Sequence, residues 1–76
     1  MMLSINTYKI YRRTGNPEYK TYRFACFDSC VDFEGMTFEE KFNKAFESLK
    51  EEINQDRKNN DVRIYEPIVI ADVFLS

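Results

Sequence analysis

The chain contains no histidine and no tryptophan, and only two glycines, two prolines and two cysteines in 76 residues. Each shortage removes a class of chemistry. Without histidine there is no imidazole general base, no Cys-His pair and no His-based triad. Gly15 and Gly35 stand alone, so the repeated-glycine loops that cradle phosphates cannot form. Cys26 and Cys30 give no disulfide framework, and two thiols fall short of the four ligands that zinc usually takes. In an extended strand their Cα atoms would stand ~13 Å apart, too far to bridge. Both therefore read first as reduced structural thiols, with an intermolecular metal or redox role as the alternative, and the chain is expected to hold no metal and no cofactor of its own. Neighbouring carboxylates such as Glu39 and Glu40 have nothing near to desolvate them and read as solvated helix charges. These absences point away from an enzyme.

Long apolar runs are missing too. No segment reaches the roughly 18 consecutive apolar residues of a membrane span. The opening Met1-Met2-Leu3-Ser4-Ile5-Asn6 has neither a basic n-region nor an apolar h-region, so no signal peptide is expected. With reduced cysteines, a cytoplasmic setting fits best.

What is abundant is aromatic side chains, seven Phe and five Tyr, and charge divided unevenly along the chain. Residues 1–25 hold five basic side chains against Glu18 alone, a surplus of +4; residues 26–76 hold six basic against twelve acidic, a deficit of −6. The net charge of −2 thus conceals a basic end and an acidic end, two electrostatically different faces. The length fits one domain over residues 1–76. So short a chain buries only about 60% of its unfolded surface, a deficit that small domains often relieve by pairing.

The periodicities predict an α+β fold. Residues 5–13 are β-branched and aromatic and read as a strand. Thr14-Gly15-Asn16-Pro17-Glu18 is a turn cluster, and strand character resumes from Tyr19 to Phe27, giving a hairpin. Tyr22, Phe24 and Cys26 are even-numbered, whereas Val31 and Phe33 are odd. The apolar face changes parity near Asp28-Ser29, which predicts a bulge or a break into a further short strand. Thr37 with Glu40 makes a capping box for a helix over 38–55. Phe38, Phe42, Ala45, Phe46, Leu49 and Ile53 form its core stripe, with Phe46 expected buried at the middle and Glu40, Glu47 and Glu51 outside. Asp56 returns to the stripe, so the helix is expected to end near it, with Asn59-Asn60 as the exit. Val62 to Leu75 is strand again, interrupted by Pro67. Ile68-Val69-Ile70-Ala71 is apolar on both parities, the pattern of a strand covered on both faces. One helix covers only one face, which leaves room for a second copy, a homodimer, on the other. The expected architecture is a three- or four-stranded, mainly antiparallel sheet with one amphipathic helix on a face, in the order β-β-(β)-α-β.

The strongest functional pattern lies in the hairpin. Tyr8-Lys9-Ile10-Tyr11-Arg12 recurs as Tyr19-Lys20-Thr21-Tyr22-Arg23. Tyr and Arg are enriched at protein interface hot spots, which makes Tyr8, Tyr11, Arg12, Tyr19, Tyr22 and Arg23 candidate partner-binding residues. The same types on a sheet can stack bases and neutralise phosphates, so nucleic acid is the alternative partner, disfavoured by the acidic balance. The plain alternative is that Tyr forms strands well and Lys/Arg protect edges. The acidic helix face admits a third idea, mimicry of nucleic acid, against the simpler reading of a solvated amphipathic face.

The order hairpin, short strand, Gly35-x-Thr37-x-Glu39-Glu40 helix start and Glu66-Pro67 before a last strand resembles the HicB family of antitoxins over about residues 18–70. Cys30-Val31 lies where such proteins often have a short strand after a Gly-Cys step. The resemblance implies a β-β-β-α-β domain, a partial ribonuclease-H-like fold without its catalytic carboxylates, that binds and blocks a small toxin. The chain departs from that family in lacking a Pro-rich step before the Cys and in having a Phe-rich rather than Ala-rich helix. The sequence thus leads to a non-enzymatic binding module, most simply a small inhibitor of antitoxin, phage or plasmid type that occludes a partner protein. A nucleic-acid-binding domain built on the hairpin is the alternative.

Overall fold

In the computed structural model, which describes all 76 residues, the N-terminal strand is the centre of the sheet. Strand β1 (Met2–Ile10) lies between β2 (Pro17–Ala25) and β3 (Val69–Leu75), antiparallel to both. The β1–β2 register runs from Met2 opposite Ala25 to Ile10 opposite Pro17. The strand begins at Met2 rather than Ile5, because Leu3 and Ile5 both enter the core. Its turn begins at Tyr11 rather than Thr14. Pro17, which cannot donate to a ladder, starts the next strand. Within that turn the Gly15 N–H donates to the Tyr11 carbonyl at 2.7 Å, with Gly15 at φ 73°, a left-handed conformation that glycine adopts without steric cost.

The parity change is a real break. Cys26 takes a left-handed φ of 53°, and two single 3-10 turns follow, Phe27–Ser29 and Val31–Phe33. The further short strand anticipated around Val31 is not formed; the sheet has three strands. Phe27 drops into the core against Phe38 and Phe42, with ring centroids 5.6 and 6.2 Å away. Phe33 rests on Phe24 at 5.7 Å. The chain turns inward here to bury these rings rather than running on along the sheet.

Helix α1 (Phe38–Asn59) starts with the capping box: the Thr37 side chain accepts from the Glu40 N–H, and Glu40 reaches back to the Thr37 N–H. It continues about one turn past the expected end. Asp56 does face the sheet, but its carboxylate is met there by Lys20 and Tyr22, so the helix need not stop to avoid burying a bare charge. Ala45, Leu49 and Ile53 are buried. Phe46, expected buried, is only half-buried and stacks on Phe42 at the helix flank.

The core comprises Leu3, Ile5, Tyr22, Phe27, Ala45, Leu49, Ile53 and Ile68. The helix lies over β2 and β1 and leaves β3 to one side. The last strand is therefore not covered on both faces as its composition suggests: Val73 is 38% and Leu75 42% exposed. A bulge between Asn6 and Thr7 shifts the β1–β3 register, leaving Ala71 as the extra residue. A single covering layer also explains the outline. The radius of gyration is 14.6 Å and the extents 48 × 22 × 14 Å, against roughly 11 Å expected for a compact domain of this length. No helix is long and apolar enough to cross a membrane.

Candidate binding face

Antiparallel partners point to the same side of a sheet and neighbours along a strand to opposite sides. Ile5 and its partner Tyr22 are buried in the core, which fixes the helix-side face. Tyr8 and its partner Tyr19 consequently lie on the other face, as do Ser4 with Arg23 and Asn6 with Thr21. From β3, Phe74 is level with Ser4, Asp72 with Asn6 and Val69 with Tyr8. No second layer covers this face.

The open face is mixed in a particular way. The Tyr8 and Tyr19 rings sit 6.4 Å apart, tilted by 54°, and Tyr19 is 78% exposed. Val69 is exposed beside Tyr8, and Phe74 is exposed two rows further along the face, level with Ser4. The Thr21 hydroxyl donates to Asn6 Oδ1 at 2.8 Å, so that pair is satisfied internally. Arg23 and Asp72 take part in none of the four ion pairs. At the centre, the Ser4 hydroxyl is buried between Arg23 and Phe74 without a hydrogen-bond partner.

The six hairpin residues singled out from the sequence do not form one surface. Tyr22 is 4% exposed; its ring is core, which corrects its place among the partner-binding residues. Tyr11 and Arg12 lie past the end of β1 and are occupied by the segment after the helix. Tyr11 bridges to Tyr65, ring centroids 5.6 Å apart. Arg12 Nε donates to the Val62 carbonyl at 2.9 Å, and its Nη1 is 3.9 Å from Glu66. Only Tyr8, Tyr19 and Arg23 share the open face. Phe74, Val69 and Asp72 join them from β3, a contribution hidden until the strand order is known. The both-parity apolar run at 68–71 was the one signal for it.

On the helix side, an open cleft of about 400 Å³ lies between the end of α1 and the hairpin, lined in part by Lys9, Lys20, Tyr22, Asp56 and Asn60. Its charges are already engaged. Lys20 Nζ donates to Asp56 Oδ2 at 2.7 Å and lies 4.7 Å from the Tyr22 ring centre, and the Tyr22 hydroxyl donates to the same carboxylate oxygen. Lys9 Nζ sits 4.0 Å above the Tyr65 ring. Burial, reinforced by the bond to Asp56, pushes the Tyr22 hydroxyl up to about 12. The hydrogen bond to Asp56 raises Lys20 above its ordinary value, and the bonds from Lys20 and Tyr22 hold Asp56 below the usual carboxylate range. All three shifts run away from neutrality. The cluster is a latch between helix and sheet that holds its protons at pH 7, not an acid–base pair.

Both cysteines are free, Cys26 exposed and Cys30 half-buried, on turns rather than on the strand expected for them. No group of three or more Cys, Asp or Glu side chains is arranged to hold a metal ion. No family model, no curated protein and no solved structure matches the chain, and its function has to be read from this geometry.

Proposed function

We propose that the chain is a non-enzymatic binding module that occludes another protein through the open face of its sheet, in the manner of a small inhibitor. The observation that carries this reading is the bare face itself, with the Tyr8–Tyr19 pair and Val69 toward one end and Arg23 and Phe74 toward the other. Aromatic rings with an Arg are the side chains that dominate binding energy at protein interfaces. The exposed apolar groups on this uncovered face are interleaved with the polar row Thr21, Asn6 and Asp72, the mixture of apolar anchors and polar groups that interfaces use. The antitoxin-like reading supplies the partner class, a small toxin-like protein, on resemblance alone.

Nucleic acid is the weaker reading for a specific reason. Of the five hairpin cations, Lys9, Lys20 and Arg12 are engaged within the chain, and Arg13 is exposed in the turn, past the end of the sheet. Arg23 shares the open face with Asp72, so that face carries little net charge to neutralise phosphates.

Two measurements test the proposal. Single- and double-stranded oligonucleotides titrated at low salt are expected to show no binding at micromolar concentration. The tagged chain should retain a protein partner from its native lysate, and Tyr19→Ala with Arg23→Glu should lose it while melting like the parent. Salt-sensitive oligonucleotide binding abolished by Arg23→Glu would transfer the reading to nucleic acid.

A further inference from the structure

The two edges of the sheet are protected very differently. β2 carries Pro17, Glu18, Lys20 and Arg23, the residues that discourage strand addition. β3, Val-Ile-Ala-Asp-Val-Phe-Leu, has no proline, no cation and a single charge. Its backbone polarity can be assigned from the ladder. Met2 and Ser76 exchange both hydrogen bonds, at 2.8 and 3.0 Å. Such pairs alternate along an antiparallel ladder, so Phe74 turns its N–H and C=O toward β1. Val73 and Leu75 turn theirs to the free edge. The same two residues have helix-side side chains that the helix leaves exposed.

We infer that β3 pairs edge to edge with β3 of a second copy, antiparallel, with Val73 opposite its own symmetry mate. This is the register that the outward-pointing groups prescribe. The two Val73 residues exchange both hydrogen bonds across a two-fold axis perpendicular to the sheet, and Leu75 falls opposite the partner's Ala71. Asp72 then faces the partner's Phe74 rather than its own mate, so no like charges meet. The result is a six-stranded sheet with both helices on one side. Val73 and Leu75 from each copy meet in the trough between the helices, which shields the helix-side face of β3 and leaves the open face free. The protected β2 edges lie outermost, so growth stops at two copies. A seven-residue edge spans only about 23 Å and buries less than a standard interface; the dimer therefore dissociates in the micromolar range.

Sedimentation equilibrium between about 5 and 500 µM is expected to show a monomer–dimer equilibrium. At the upper end, amide exchange at Val73 and Leu75 should slow severalfold, while the Phe74 amide is protected at both ends. Val73→Lys, and independently Leu75→Lys, should leave a monomer with the parent's far-UV spectrum. Tyr19→Lys, on the open face, should leave the dimer intact. A chain that stays monomeric throughout overturns the inference, including one whose β3 edge takes up extended peptides instead. So does a dimer that survives both lysine variants, one that Tyr19→Lys abolishes, or assembly that continues past two. If a lysine variant fails to fold, the exchange pattern of the parent chain decides alone.

Discussion

Ser4 shows how much a single position in the central strand can cost. Its hydroxyl is buried and unpartnered beneath Arg23 and Phe74, and a buried unsatisfied hydroxyl costs about 1–3 kcal/mol. Ser4→Ala removes the unmet group and little volume, so the variant is expected to be as stable as the parent or up to about 1 kcal/mol more stable. A loss of stability on chemical denaturation would show that the hydroxyl has a partner after all. Asp56 is the opposite case, a charge on the core stripe that is fully met. Its folded pKa is depressed by Lys20 and Tyr22, so it contributes stability that is present above the ordinary carboxylate value of about 3.9. That contribution disappears as pH falls through the lower folded value. Lys20 and Tyr22 are raised; theirs is present below their ordinary values near 10 and fades as pH rises through the folded ones. Asp56→Asn should cost about 1–2 kcal/mol at pH 7 and flatten the decline in stability below about pH 4. Equal acid sensitivity of parent and variant in urea titrations at a series of pH values would refute the latch.

Element by element, local signals read well and long-range ones did not. The capping box at Thr37 and the stripe of α1 were legible because both depend on residues a few positions apart. The helix runs about one turn past 55, up to the expected exit at Asn59-Asn60. Lys20 and Tyr22, the partners that make Asp56 tolerable, lie far away in the sequence. The position of Phe46 was misjudged for a related reason. Periodicity gives the angle of a stripe but not how far the opposing sheet extends, and β3 is not beneath the helix. The burial actually found orders the energetics. Leu49→Ala removes a fully packed side chain and is expected to cost about 2–5 kcal/mol. Phe46→Ala, at a side chain only partly buried at the flank, should cost clearly less. Thermal or urea melts of the two variants that ranked them in reverse order would contradict the placement of the helix.

For the molecule as a whole, fold class was legible and the candidate site only in part. Tyr8, Tyr19 and Arg23 could be named from the hairpin repeat. Interleaving in sequence does not say which parity is core, and so it does not separate Tyr22 from the other rings. Phe74 and Asp72 reach the open face only because β3 returns to the far side of β1. That return also bears on how the chain is made. Leu3, at the very start of the central strand, finds one of its two neighbours in Leu75. On the ribosome, β1 emerges ahead of β2 and β3 and can zip to β2 within a hairpin, yet its other side stays unpaired through the synthesis of the entire helix. Contacts of such long sequence separation close late and slowly. From the synthesis of β1 until that of β3 the nascent chain therefore displays the edge of its own future centre, the interval in which a holdase chaperone has most to protect.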